Sequence, residues 1–423
     1  MEKFNVAQRH QVELAIERFV MDESNVDMRT LIRAVNMIDD EDILYRIAIG
    51  TTCIVVGSQA VEKIFSDELL QKIVLNPKVE DLTRITAAKH IKDQTMLKGL
   101  YEGSSSGIRK TVIELIVDDD FTYNAVFAEK ATHISVAAIK QIASQEKLYN
   151  IAVRHTNPII QIAAVNRIAD QNYLAKVARI TTIQASVRCE AIKRLNSNDF
   201  AELLYEIYKN DNSDICRTEA VKKIVDAGVL VDIALNDSEE EIQFAALSVL
   251  PGISVFSEVN NRLITIIEGP YSSKVKAMAI EKLVINTNEF FVKVIRNDHN
   301  EEVRLAALNR IDDQIQLTKI AYYEVAKYQY QFVVRMEALK KLKDQDVINM
   351  IALSDSDFRI RELAVERACS ATLINVAIND RECRVSVAAV KRLKKDYELI
   401  EVLLRSNEKW VQNAVIQQLC GTK

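Results

Sequence analysis

Glycine and proline are scarce: nine Gly and four Pro stand in 423 residues. Average usage is about 7% and 5%. These residues punctuate turns and strand ends, so their scarcity excludes a fold of many short strands and points to helix nearly throughout. The nine scattered Gly make no phosphate-cradling loop, and no G-x-S-x-G occurs. The five His (10, 90, 133, 155 and 299) include no H-E-x-x-H and no close His/Cys pair with metal spacing. Six Cys (53, 189, 216, 369, 383 and 420) include no C-x-x-C pair. A long helical chain needs no disulfide staples, so the thiols read as small buried hydrophobes in a reducing compartment. No run approaches the roughly 20 apolar residues of a membrane span, and the start Met1-Glu2-Lys3-Phe4-Asn5 lacks an apolar signal core. The expectation is a cytoplasmic chain that is not an enzyme and takes no cofactor or metal.

A strong charge bias is missing too. Net charge is −5, whereas a nucleic-acid binder usually shows a clear basic excess. The charge is uneven: residues 304–423 carry 20 Lys/Arg against 16 Asp/Glu, and the rest carry 35 against 44.

What the chain does have is a repeat, the first thing to seek in a sequence of this length. Val303-Arg304-Leu305-Ala306-Ala307-Leu308-Asn309-Arg310-Ile311 is rewritten as Val334-Arg335-Met336-Glu337-Ala338-Leu339-Lys340-Lys341-Leu342. It returns as Cys216-Arg217-Thr218-Glu219-Ala220-Val221-Lys222-Lys223-Ile224 and again from Ile160 to Ile168. With the Arg304 slot as position zero, fifteen copies begin at 31 and end at 412, spaced 25 to 33 residues apart. Position +3 is Ala in 13 of 15, and position +7 is Ile or Leu in 14 of 15.

Positions +3, +4 and +7 share one helix face. Ala at +3 permits close approach of a neighbouring helix, and the branched residues beside it fill the remaining space. A second apolar set at +13, +16 and +17 makes a second helix. Position +9 is Asp or Ser in eleven copies: Asp40, Ser66, Asp93, Asp118, Ser144, Asp170, Ser197, Asp226, Asp313, Asp344 and Ser370. Both residue types cap helix N-termini, so +9 is predicted to start the second helix. A further acid at −6 (Asp211, Asp237, Asp298, Asp355, Asp380) marks the loop between copies. One helix pair cannot bury both its faces, but a stack can.

The pattern Val-Arg-x-x-Ala-Leu-x-Arg-Ile with a capped second helix resembles the short HEAT-like repeats first described in phycobilisome lyases, over about residues 25–420. The resemblance implies an all-α, right-handed α-solenoid of about fifteen two-helix repeats. Residues 1–25 would form an N-terminal capping helix and 26–420 a continuous stack, with a junction near 251–273 where Pro251-Gly252 and Gly269-Pro270 bracket a helix. It also implies that the Arg at position zero matches the inter-repeat Asp. The Gly-Asp step of the lyase repeats is absent, so no bilin chemistry follows.

Function is sought where copies deviate or line up. Gly103-Ser104-Ser105-Ser106-Gly107 reads as a flexible loop. Tyr322, Tyr323, Tyr328 and Tyr330 fall within nine residues; they are candidate anchors for a protein partner, or core rings on a helix end. Position +6 is basic in nine copies: Lys63, Arg167, Arg194, Lys223, Lys282, Arg310, Lys341, Arg367 and Arg392. Stacked helices sit roughly 8–10 Å apart, so the eight from Arg167 onward could meet about every third phosphate of a nucleic acid, spaced about 3.4 Å. They could equally offset helix dipoles. The expected function is a scaffold holding a protein partner on a concave surface within a larger assembly. Nucleic-acid binding through the +6 ladder is the alternative.

Overall fold

The computed structural model describes residues 6–22, 26–252, 258–285, 287–323 and 332–421. Among them are thirty α-helices, one π-helical turn and no strand. The unit of construction is the expected helix pair. In the copy at Gln161, Asn157 caps helix Pro158–Val165 and Pro158 pre-sets its first turn. Asp170 then caps the second helix, Gln171–Arg179.

The chain divides into two compact units, residues 1–223 and 224–423. Each is an all-α solenoid of two helix rows. In the first unit, Asp81–His90, Ser106–Ile113, Thr132–Gln141, Pro158–Val165, Ala185–Arg194 and Asp214–Val221 are consecutive first helices, each packed on the next. Asp119–Ala128, Gln145–Arg154, Gln171–Arg179 and Ala201–Asn210 form the parallel row of second helices. Helix Val6–Met21 packs on Met28–Asn36 and Glu41–Gly50 at the start of this unit. In the second unit, Ser273–Lys282, Glu301–Asn309, Phe332–Lys341, Phe358–Val365, Cys383–Arg392 and Lys409–Gly421 continue the first-helix pattern. The helix between the two Gly/Pro pairs is Glu258–Glu268.

The core lies between the rows and is made by the recurrent apolar slots. Ala60, Ala138, Ala164, Ala220, Ala307, Ala338 and Ala389, all at +3, are fully buried, as are Ile38, Ile142, Ile168 and Ile311 at +7. The close helix approach at +3 favours a small side chain, alanine in thirteen copies and valine in the two others, Val112 and Val415.

Nine of the eleven expected caps form as read: Asp40, Ser66, Asp93, Asp118, Ser144, Asp170, Asp226, Asp313 and Asp344 each accept an amide of the following first turn. Two do not. Helix Ala201–Asn210 starts later, behind Phe200, because that copy is longer than its neighbours and the extra residues extend the turn. Helix Ser370–Asn379 starts one residue early, behind Cys369. Asp344→Ala should cost about 1 kcal/mol, read as a lower denaturant midpoint with unchanged slope.

The Gly103–Gly107 stretch is not a loop. Gly103 ends helix Gln94–Gly103 and Ser106 begins Ser106–Ile113, leaving two residues between. A Cβ on Gly107 would meet Ile85 Cδ1 at 3.3 Å, so glycine here serves close helix approach. The thiols also differ from expectation: Cys189 and Cys216 are buried, but Cys369, Cys383 and Cys420 are exposed.

Candidate interaction surface

The recurrent polar slots join each repeat to its neighbours along three lines. The first is the base at position zero. Arg188 donates from Nε and Nη2 to both oxygens of Asp211, at 3.1 and 2.7 Å. Its Nη1 reaches back to the carbonyls of Thr181 and Ile183. Arg361 does the same between Asp380, at 2.7 and 2.9 Å, and the Asp355 carbonyl. Arg109 pairs with Glu129, Lys276 with Asp298 and Arg335 with Asp355. In each pair the acid is the −6 residue of the following copy. That acid also accepts an amide two residues on, as Asp211 does from Ser213 and Asp380 from Glu382, which shapes the turn into the next helix.

The second line is position +6. Arg194 donates to the Val165 and Ile168 carbonyls, Arg310 to Ile280, Glu281 and Leu283, Lys341 to Leu308, Asn309 and Ile311, and Arg367 to Leu339, Lys340 and Leu342. Lys63, Arg167 and Lys282 make the same kind of bond to Ile38, Ile142 and Ser248. Each cation therefore closes the C-terminal end of the preceding first helix, where carbonyls lack intrahelical donors and the helix dipole is negative. Gln418, the +6 residue of the last copy, gives its amide to Lys391 and Leu393 in the same way. Lys223 is half-buried and Arg392 exposed.

The third line went unread in the sequence. The residue after the +9 cap takes amides from the cap turn of the next copy. Asp67 accepts from Lys92 and Asp93, Asp119 from Ala143 and Ser144, Gln145 from Ala169 and Asp170, and Gln314 from Lys343. Its signal is the recurrence of Glu, Asp or Gln one residue beyond the cap.

The anticipated tyrosine cluster is only partly described. Tyr322 is half-buried with its hydroxyl 3.1 Å from Ser354 Oγ. Tyr323 ends the π-helical turn Lys319–Tyr323. Tyr328 and Tyr330 lie outside the described residues.

A different aromatic row stands on the second helices of the first unit. Tyr123, Tyr149 and Tyr205 each sit five residues past an N-cap, as does Tyr45. Ring contacts cross three consecutive junctions. Tyr101 meets Phe121 edge-on at 5.6 Å, Phe127 meets His155 at 5.5 Å, and Tyr149 meets Tyr173 at 5.2 Å. Tyr123 lies against Phe127 at 5.2 Å and Tyr205 against Tyr208 at 5.9 Å. Lysines overlie the rings: Lys176 Nζ is 5.0 Å from the Tyr173 centroid and Lys209 Nζ 5.7 Å from that of Tyr205. Phe127 and Tyr205 are exposed at 42% and 43%, and Tyr123, Tyr149 and Tyr173 are half-buried. Next to the first junction a cleft of about 500 Å³ is lined by Tyr101, Arg109, Phe121, Asn124 and Glu129. Burial and the Glu129 carboxylate push the Tyr101 hydroxyl up to about 12, so it stays a donor to Glu129. Beside it, the Lys98 ammonium 2.5 Å from Asp118 draws that cap down to about 2.

Among the described residues one group, His10, Glu13 and Asp40, has ligand atoms close enough to share a cation. Each is engaged within the fold: His10 Nδ1 with Asp40, Glu13 with the Asp39 amide, and Asp40 with the first turn of its helix. No helix among the described residues is long and apolar enough to cross a membrane.

No protein-family model matches the sequence, and no curated protein matches it. Among solved structures, Kap121p bound to RanGTP is similar at 12% identity and a TM-score of 0.38, over 98% of this chain and 59% of that one. Uso1-2 is similar at 12% identity and a TM-score of 0.25, over 98% of this chain and 86% of that one. The chain thus spans less than two thirds of the Kap121p chain. Likeness this slight carries no function across.

Proposed function

We propose that this protein is a non-enzymatic scaffold whose second-helix row in the first unit holds a protein partner, as one component of a larger assembly. The observation that carries the reading is the row of rings bridged helix to helix from Tyr101 to Tyr173, with the exposed Tyr205 on the following helix, overlaid by Lys176 and Lys209. Stiff amphipathic rings are the residues that anchor protein interfaces, because they bury much area at little cost in side-chain order. A half-buried ring already fixed by its neighbour loses less freedom still when a partner covers it. The +6 cations do not favour phosphate as the ligand, since their donors are turned to helix-end carbonyls.

Affinity capture from native extract, with and without nuclease, tests this with the wild-type chain beside Tyr149→Ala/Tyr173→Ala. A stoichiometric protein that survives nuclease should be held at least about tenfold more weakly by the double variant, the loss expected when two anchor rings are truncated. Equal retention by both chains, or partners that vanish with nuclease, would overturn the reading.

A further inference from the structure

Two buried thiols face each other at one junction. Cys189 lies on helix Ala185–Arg194 and Cys216 on helix Asp214–Val221, consecutive first helices of the first unit. Their Sγ atoms are 2.8 Å apart, and Cys216 Sγ is also 3.3 Å from the Ala185 carbonyl. To reach the covalent length of about 2.05 Å the sulfurs need to close by less than about 1 Å. The two lie 27 positions apart and the chain between them runs out through a second helix and back, so a bond here would close a real loop. The guanidinium of Arg188, pinned by Asp211, lies beside the pair. The hydrogen bond from Cys189 lowers the proton affinity of Cys216 against the effect of burial, and Arg188 acts in the same direction. The same contact, with burial, raises Cys189. Cys216 is therefore the thiol that gives up its proton the more readily, and Cys189 the partner that resolves it.

We propose that Cys189 and Cys216 form a reversible disulfide in response to a small two-electron oxidant of the peroxide class. Cys216 gives up its proton and its sulfur attacks one peroxide oxygen; the O–O bond breaks, and the departing hydroxide takes up that Cys216 proton as water. That leaves Cys216 as sulfenic acid. The Cys189 sulfur then attacks Cys216, the S–O bond breaks, and a second water leaves with the Cys189 proton. Two thiols lose two electrons and one peroxide is reduced to two waters. Cys189 is 4% exposed and Cys216 wholly buried, so oxidation waits on local opening of the junction, which a molecule as small as peroxide exploits more readily than a bulkier alkylating reagent. The bond ties two neighbouring repeats and should stiffen their junction by restricting the unfolded chain.

The test uses the whole chain, treated with hydrogen peroxide, then denatured and alkylated. Peptide mapping should show Cys189 joined to Cys216 and an intact mass lower by about 2 Da before alkylation, reversed by dithiothreitol. Without peroxide all six cysteines should alkylate after denaturation. With it, neither member of the pair should. Cys216→Ser should abolish the cross-link and leave Cys189 alkylated. Cys189→Ser should instead trap Cys216 as sulfenic acid, detectable with a dimedone-type probe. Oxidation confined to Cys369, Cys383 and Cys420, with Cys189 and Cys216 still alkylated in the treated wild type, overturns the proposal.

Discussion

Asp211→Ala should destabilise the first unit by about 3–5 kcal/mol, the loss expected when one member of a buried ion pair is removed. Both side chains are 3% exposed, and Arg188 directs donors to Asp211, Asn212 and two carbonyls. Without the carboxylate, a guanidinium remains fixed in a buried place with no counter-charge, and water does not reach it without opening the junction. Hydrogen exchange over residues 181–223 is the measurement of choice, because damage in a stack of repeats stays near its source. A loss below about 1 kcal/mol would show that the pair is merely tolerated. The double variant Arg188→Met/Asp211→Leu should be less damaged than the sum of the single changes, since it removes the stranded charge along with the pair.

The second large effect is expected at Ala307→Asp. Ala307 is fully buried on helix Glu301–Asn309, which packs on Ser273–Lys282 before it and Phe332–Lys341 after it. A carboxylate there is both oversized and unpaired, and about 3–5 kcal/mol is the scale for an uncompensated buried charge. Local exchange should rise across residues 273–341 while the first unit keeps its protection. Melting of the whole chain as one transition with unaltered midpoint would contradict both the burial and the locality.

These two sites differ in how plainly the sequence displays them. Ala307 belongs to a slot that recurs, and recurrence at fixed spacing is readable without coordinates. The helix pair and nine of the caps were legible for the same reason. Asp211 is visible as a recurrent acid, but its partner is the base of the preceding copy, and direction along a stack is not written in spacing alone. Ser197 misled because a longer turn shifts the start of a helix without changing residue type. The Gly103–Gly107 stretch misled because composition suggested freedom where glycine answered a need for closeness. The tyrosine cluster at 322–330 drew attention by density along the chain. The row from Tyr101 to Tyr208 contributes no more than three rings per copy, so it emerges only when copies are aligned on their caps. Folding gathers what the sequence disperses.

The three lines of bonds have a consequence for how such a chain can change. Every one of them runs between adjoining copies, and each contact is defined by slot, not by identity. Were residues 335–360 excised, Arg361 would still find Asp380 ahead of it, and Arg367 would meet at 308–311 the helix end that Lys341 now closes. The joints police spacing within a copy and are indifferent to how many copies there are. Length is thus the most freely heritable property of this architecture. A lineage can gain or lose whole periods by slipped recombination between slots while every surviving junction keeps its partners.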